Sequence, residues 1–268
     1  ACRFFFFFLV NGGWLQRSGR LPNVAVLKIS WRWLLLGIAG LAGNFLLFSK
    51  ALIYLTPAAA QVLGQLSPFI LLFASVIFLK ESLGWHQWLG VALLALGIAL
   101  FVNREWGAFS RAQWLGIVLS IGGSVVWVAY ALAQKALQKV LSAQQVLVVF
   151  YGGAMLLTLP FADSALFAGM SGYHWGCLAF CCANTPIAYG AFAEALACWE
   201  VNKVSATLTL VPLFTIAFTE IAFALWPAQF AAPQLNWIAY LGAGLVVFAA
   251  LSLVLGKAWL GKRQAQEA

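Results

Sequence analysis

Three ionisable residues stand inside long apolar stretches of this chain: Lys50, Glu194 and Glu220. A charge within an apolar span costs several kcal/mol unless it is paired or hydrated, so each is a functional candidate. A shift of 144 residues places Lys50 on Glu194. Opposite charges at equivalent positions suit a gating pair or a proton-coupling pair. Each also lies within about two turns of a block end, and snorkelling to the nearest interface is the other reading. Glu220 lies deeper, between Thr219 and Ile221. It is either a proton-carrying carboxylate or a protonated one hydrogen-bonded to a neighbouring helix.

Uncharged polar residues form a second set. Gln61 and Gln65 share one helix face and are followed by Ser67–Pro68; Asn44 and Asn184 are of the same type. Amides bind the groups of a zwitterion without the cost of burying a charge, although polar side chains in membranes also simply join helices. Trp127 and Tyr130, spaced i,i+3 in the middle of a block, lie away from the interfaces where such rings collect. They are placed to stack on a flat or cationic substrate, or to pack a core.

Catalytic chemistry finds little support. The acids are scattered, and the two histidines, His86 and His174, fall near block ends; a membrane enzyme needs a concentrated set. The cysteines, Cys2, Cys177, Cys181, Cys182 and Cys198, form no C-x-x-C pair and read as small apolar packers. We expect no catalytic residue, no metal and no cofactor. The phosphate-binding G-x-x-x-x-G-K-[ST] loop is absent from the sequence.

The elements that must carry these residues are membrane helices. Hydrophobic residues make up 64% of the chain and charged ones 8%, against about 25% charged in soluble domains. The apolar blocks run 2–15, 33–55, 58–79, 83–102, 113–133, 146–167, 175–197, 204–226 and 235–255. Such continuous runs predict helices, whose backbone groups are satisfied locally in lipid, rather than the alternating strands of a barrel. If the polar stretch 16–32 faces the cytoplasm and each block crosses once, eleven lysines and arginines fall on that side. Arg3, Arg104 and Arg111 fall on the other, and Lys50 is left over near the outer end of the second block. This bias orients the chain and places its C-terminus in the cytoplasm. It also accounts for the net charge of +8 without nucleic acid, since no contiguous basic face exists to meet phosphates.

The 144-residue shift marks an internal repeat. Phe48, Ala51, Leu52, Leu66 and Pro68 fall on Phe192, Ala195, Leu196, Leu210 and Pro212. The copies start five helices apart, an odd number, so they lie in opposite orientations, the architecture of many secondary transporters. Pro68 and Pro212 are expected to kink their helices at equivalent places. Gly37, Gly40 and Gly43 are expected to let helices approach closely.

The segment FSKALIYLTPAAAQVLGQLSPFILLFASVIFLKE (Phe48–Glu81) carries A-L-x-Y-x-x-P-A-x-A, then L-x-P, then a closing K-E. It resembles the drug/metabolite transporter superfamily, and within it the ten-helix EamA branch. FAEALACWEVNKVSATLTLVPLFT (Phe192–Thr215) resembles the matching part of that branch's second repeat. The resemblance implies an all-α polytopic membrane protein of two inverted helical repeats, with about nine of an expected ten helices. The first block matches the family's second helix, so the family's first helix is expected to be lacking. The expected divisions are a first repeat at 1–103, a second at 112–256 and a basic cytoplasmic tail at 257–268. The implied function is secondary transport, in the exporting direction, of small metabolites such as amino acids across the bacterial inner membrane by alternating access. The expected partners are a small-molecule substrate, the lipid bilayer and protons as coupling ion. A channel, which would show filter loops or charged rings, and a membrane-embedded enzyme are the alternatives.

Overall fold

The computed structural model describes residues 2–22, 24–55, 60, 63–64, 66–79, 85–101, 111–162, 165–208, 210–227, 236–238, 240–242, 244–246 and 248–249. All regular elements among them are helical. In chain order they are α1 (Cys2–Arg17), α2 (Val24–Ile29), α3 (Trp31–Tyr54), α4 (Leu66–Leu79), α5 (Trp85–Phe101), α6 (Arg111–Leu137), α7 (Ala143–Thr158), α8 (Ala165–Ala168), α9 (Gly172–Cys198), α10 (Val201–Leu208) and α11 (Val211–Leu225). Further helical residues lie between 237 and 249. Among the described residues four stretches, Trp31–Tyr54, Gln113–Leu137, Ala143–Phe161 and Gly172–Cys198, are long and apolar enough to cross a bilayer. At 1.5 Å per residue, the 27 residues of α9 extend about 40 Å, more than the ~30 Å hydrocarbon layer. Large apolar side chains such as Ile53, Phe180 and Ile187 stand exposed, as suits residues solvated by lipid.

Local sequence explains the helix ends. α1 closes in a Schellman turn. Gly19 takes φ 65°, the Arg20 N–H donates to the Leu15 carbonyl at 3.0 Å and the Gly19 N–H to the Gln16 carbonyl at 3.2 Å. Glycine takes that left-handed conformation without a Cβ penalty. α7 opens on a capping box in which Ser142 and Gln145 satisfy each other's backbone N–H groups. It therefore starts three residues before the apolar block beginning at Val146. It also stops earlier than expected, where Pro160 turns the chain into a 3-10 turn, Leu159–Phe161. Ser171 and His174 form a second capping box at the start of α9, which gives His174 a structural role. The block expected at 204–226 is two helices, with Pro212 in the first turn of α11, the position where a missing N–H costs least.

The chain folds into two compact units. The first comprises Ala1–Leu46 and Val126–Glu200; the second comprises Leu47–Val125 and Val201–Ala268. Each unit draws on both sequence repeats, and α3 and α6 each run from one unit into the other.

In the first unit the expected glycine contacts are close ones. A Cβ on Gly40 would lie 2.6 Å from the Val126 carbonyl oxygen and 2.8 Å from the Tyr130 nitrogen, and one on Gly37 would overlap the Phe150 ring. The backbones of α3 and α6 therefore touch, with Phe150 of α7 seated over the same stripe. In the second unit, a Cβ on Gly97 of α5 would lie 2.9 Å from the Gly242 carbonyl oxygen. There Val246 and Ala249 form a small buried core with Phe73, Val91 and Leu93 packed against it.

Candidate functional site

The interior of the first unit is a continuous cluster of aromatic rings. Four membrane-crossing or near-crossing helices supply it, together with α1: Phe4 and Phe7 from α1, Phe45 from α3, Trp127 and Tyr130 from α6, Phe150 and Tyr151 from α7, Tyr189 and Phe192 from α9. The i,i+3 spacing that places Trp127 and Tyr130 on one face recurs as Phe4/Phe7 and Tyr189/Phe192, so each helix turns a pair of rings the same way. Phe7 stacks on Tyr151 with centroids 4.0 Å apart. Tyr189 lies 5.7 Å from Phe45, 6.0 Å from Tyr130 and 5.9 Å from Tyr151, the latter two edge-on. Trp127 meets Phe192 at 5.2 Å. The Arg3 guanidinium sits 5.5 Å over the Phe45 ring, within cation–π range.

Polar groups in this unit are buried without partners. The Tyr130 and Tyr151 side chains are fully buried, as is Gln134 one turn further along α6. Neither phenol hydroxyl and neither end of the Gln134 amide has a hydrogen-bond partner among the described residues. In a low-dielectric interior each such group costs about 1–3 kcal/mol until something bonds to it. The cluster thus combines packed aromatic rings with hydroxyls and an amide whose hydrogen-bonding capacity is unspent among the described residues.

One end of the unit is tied together instead. Lys135 donates to the carbonyls of Leu196 and, at 3.0 Å, Trp199. Gln138 donates to the Ala193 carbonyl at 2.8 Å. Lys135 thereby serves carbonyls at the C-terminal end of α9, where intrahelical donors run out, while Gln138, just past α6, adds a bond to the Ala193 carbonyl within the helix. Gln144 donates to Glu194 at 3.1 Å.

The sequence candidates are placed as follows. Trp127 and Tyr130 belong to the aromatic cluster. Asn44 is half-buried on α3 in the same unit, while Asn184 is exposed on α9. Glu194 is exposed and bonded to Gln144; Lys50 is exposed on α3 and belongs to the other unit. In the second unit Glu220 accepts a hydrogen bond from the Tyr240 hydroxyl, so the carboxylate is paired with a phenol from a neighbouring segment. Pro68 lies in the first turn of α4. Gln61 and Gln65 lie outside the described residues.

Several residues of the cluster escape the sequence reading. Gln134, Tyr151, Tyr189 and Phe7 carry no signal as single residues, but the 144-residue shift contains one. It places Phe7 on Tyr151 and Phe45 on Tyr189, and both pairs are in ring contact. Residues related by a twofold operation touch only near its axis, so the repeat itself points to this cluster. Pro186 also escapes. It lies inside α9, between the buried Thr185 and Tyr189, and deprives the Cys182 carbonyl of its usual donor.

The helical fold and the two sequence repeats are those of a membrane transporter. The model of the EamA-like transporter family matches residues 1–103 and 114–255. The chain belongs to that family and is a membrane transporter. It is 42% identical over 245 residues to an "Uncharacterized transporter" of Haemophilus influenzae, a match covering 90% of this chain and 80% of that protein. It is 40% identical over 261 residues to "Uncharacterized inner membrane transporter YhbE" of Escherichia coli K12, covering 94% and 81%. A solved crystal structure at 19% identity has a TM-score of 0.72, over 95% of this chain and 86% of that one, and thus shares the fold.

Proposed function

We propose that this chain is a secondary carrier that exports small amphipathic metabolites such as amino acids across the bacterial inner membrane, and that the substrate binds in the aromatic cluster of the first unit. The observation that carries the reading is the pair of fully buried Tyr130 and Tyr151 hydroxyls left without partners among the rings. A packing core gains nothing from such groups, whereas a binding site offers them to its ligand. The contacts of Phe7 with Tyr151 and Phe45 with Tyr189 support a position near the axis relating the repeats, where transporters of this architecture bind substrate.

In this proposal alternating access moves the repeats at 1–103 and 112–256 against each other, with Pro186 inside α9 and Pro68 and Pro212 in the first turns of α4 and α11 as the pivots. Glu220, bonded to Tyr240, is the proton-coupling carboxylate. The tail at 257–268 lies in the cytoplasm, as the distribution of lysines and arginines favours. The inner-membrane location draws support from the name of the Escherichia coli relative.

The test is uptake of labelled amino acids by proteoliposomes holding the chain, with and without a proton gradient. We expect saturable uptake of one class, at least tenfold weaker in Tyr151→Phe, and loss of its proton dependence in Glu220→Gln. Saturable uptake that is the same in wild type and Tyr151→Phe would remove the aromatic cluster as the site.

A further inference from the structure

Three polar residues follow one another at the end of α6, and they are used differently. Lys135 spends its donors on the carbonyls of Leu196 and Trp199 and Gln138 its amide N–H on the carbonyl of Ala193, although the Gln138 Oε1 has no partner among the described residues. Gln134, between the aromatic pair and these ties, spends nothing: it is fully buried, and both its Nε2 and its Oε1 lack a partner among the described residues. On a helix turning about 100° per residue, Trp127, Tyr130, Gln134 and Gln138 fall within roughly 80° of arc. The amide therefore follows the rings on one helix face. A membrane interior supplies no water of its own, so a partnerless amide is retained only if something else bonds to it.

We infer that Gln134 reads one group of the transported molecule, distinct from any amino or carboxylate group that molecule carries, and that this group is a neutral one with a carbonyl and an N–H side by side, as a primary amide has. The inference rests on the aromatic cluster being the substrate site. An amide side chain offers one acceptor and one donor in a plane, and its complement is a group offering a donor and an acceptor in a plane. The two then form a cyclic pair of hydrogen bonds that fills both open ends at once. A carboxylate fills only the Nε2 side and leaves Oε1 facing negative charge. An ammonium fills only the Oε1 side. Either charge must also be stripped of water, and the nearest cation along the helix, Lys135, already serves the carbonyls of Leu196 and Trp199.

The experiment compares binding of three labelled probes of equal shape, benzamide, benzoate and protonated benzylamine, to the purified full chain in proteoliposomes. Benzamide is expected to bind saturably and at least tenfold more tightly than either charged probe. Gln134→Met should abolish that preference. Because it removes an unsatisfied amide, it should also leave the melting temperature of the ligand-free protein unchanged or raise it by about 2 °C. Tighter binding of benzoate or benzylamine than of benzamide overturns the neutral-group assignment but leaves the aromatic site standing, provided binding still falls in Tyr151→Phe. Binding of no probe overturns both readings. A melting temperature lowered by several degrees in Gln134→Met overturns the assignment as well, since the amide would then be holding the fold together.

Discussion

The two units of this transporter bury different things. The first fills its interior with nine aromatic rings and buries two phenols and an amide that have no partner among the described residues, where the second buries one such group, the Ser120 hydroxyl. The second packs small aliphatic residues such as Val246 and Ala249 and gives its intramembrane carboxylate, Glu220, a phenol to bond. Both units use glycine for backbone contact, Gly40 in one and Gly97 in the other, so the difference lies in what surrounds those contacts. Unspent hydrogen-bonding capacity in a dry interior lowers stability and has a use only when a ligand arrives. Under the proposed function, recognition falls to the first unit and coupling to the second.

The contrast can be broken most severely at the glycines. Gly40→Leu drives a side chain into the backbone of Val126 and Tyr130 and should cost more than about 3 kcal/mol, seen as loss of the folded peak in size-exclusion chromatography. Gly97→Leu should do the same in the second unit. Gly13→Ala, with nothing within 4 Å of the added Cβ, should leave the peak intact. If all three variants behave alike, the close packing is misassigned. The next effect separates the units. Tyr130→Phe should lower substrate affinity at least tenfold, about 1.4 kcal/mol, with no loss of thermal stability. Glu220→Gln should leave affinity unchanged and remove the response to a proton gradient. Exchange of those two phenotypes would reverse the assignment.

Smaller effects sharpen it. Pro186→Ala restores an N–H opposite the Cys182 carbonyl and should stabilise α9 by about 1 kcal/mol while slowing exchange several-fold, measured as counterflow at fixed affinity. An unchanged rate would remove Pro186 as a pivot. Ser142→Ala deletes the α7 cap and should lower stability by about 1 kcal/mol with no change in transport, because that cap lies outside the chamber.

Much of this was legible in the residues. Long apolar blocks without charge dictate membrane helices, since no other backbone arrangement satisfies itself in lipid within one segment. Trp127 and Tyr130 were legible as candidates because large rings in mid-span, away from the interfaces, are unusual. The ends of α7 and the division of the eighth block into α10 and α11 were less so. Apolar composition says where a chain prefers lipid, while caps and prolines decide where the helix starts and stops, as Ser142, Pro160 and Pro212 do here.

The sequence by itself determined the class of protein, the helical blocks, the repeat and the family, because each depends on composition or on spacing along one chain. Which side chains share an interior was decided only by the tertiary structure. Phe7 and Tyr151 are separated by 143 intervening residues and stack at 4.0 Å, and Gln134 differs from Gln138 only in what lies opposite it. Whether a polar group is spent or unspent is a property of its neighbours, and for Gln134, Tyr130 and Tyr151 those neighbours arrive from other helices.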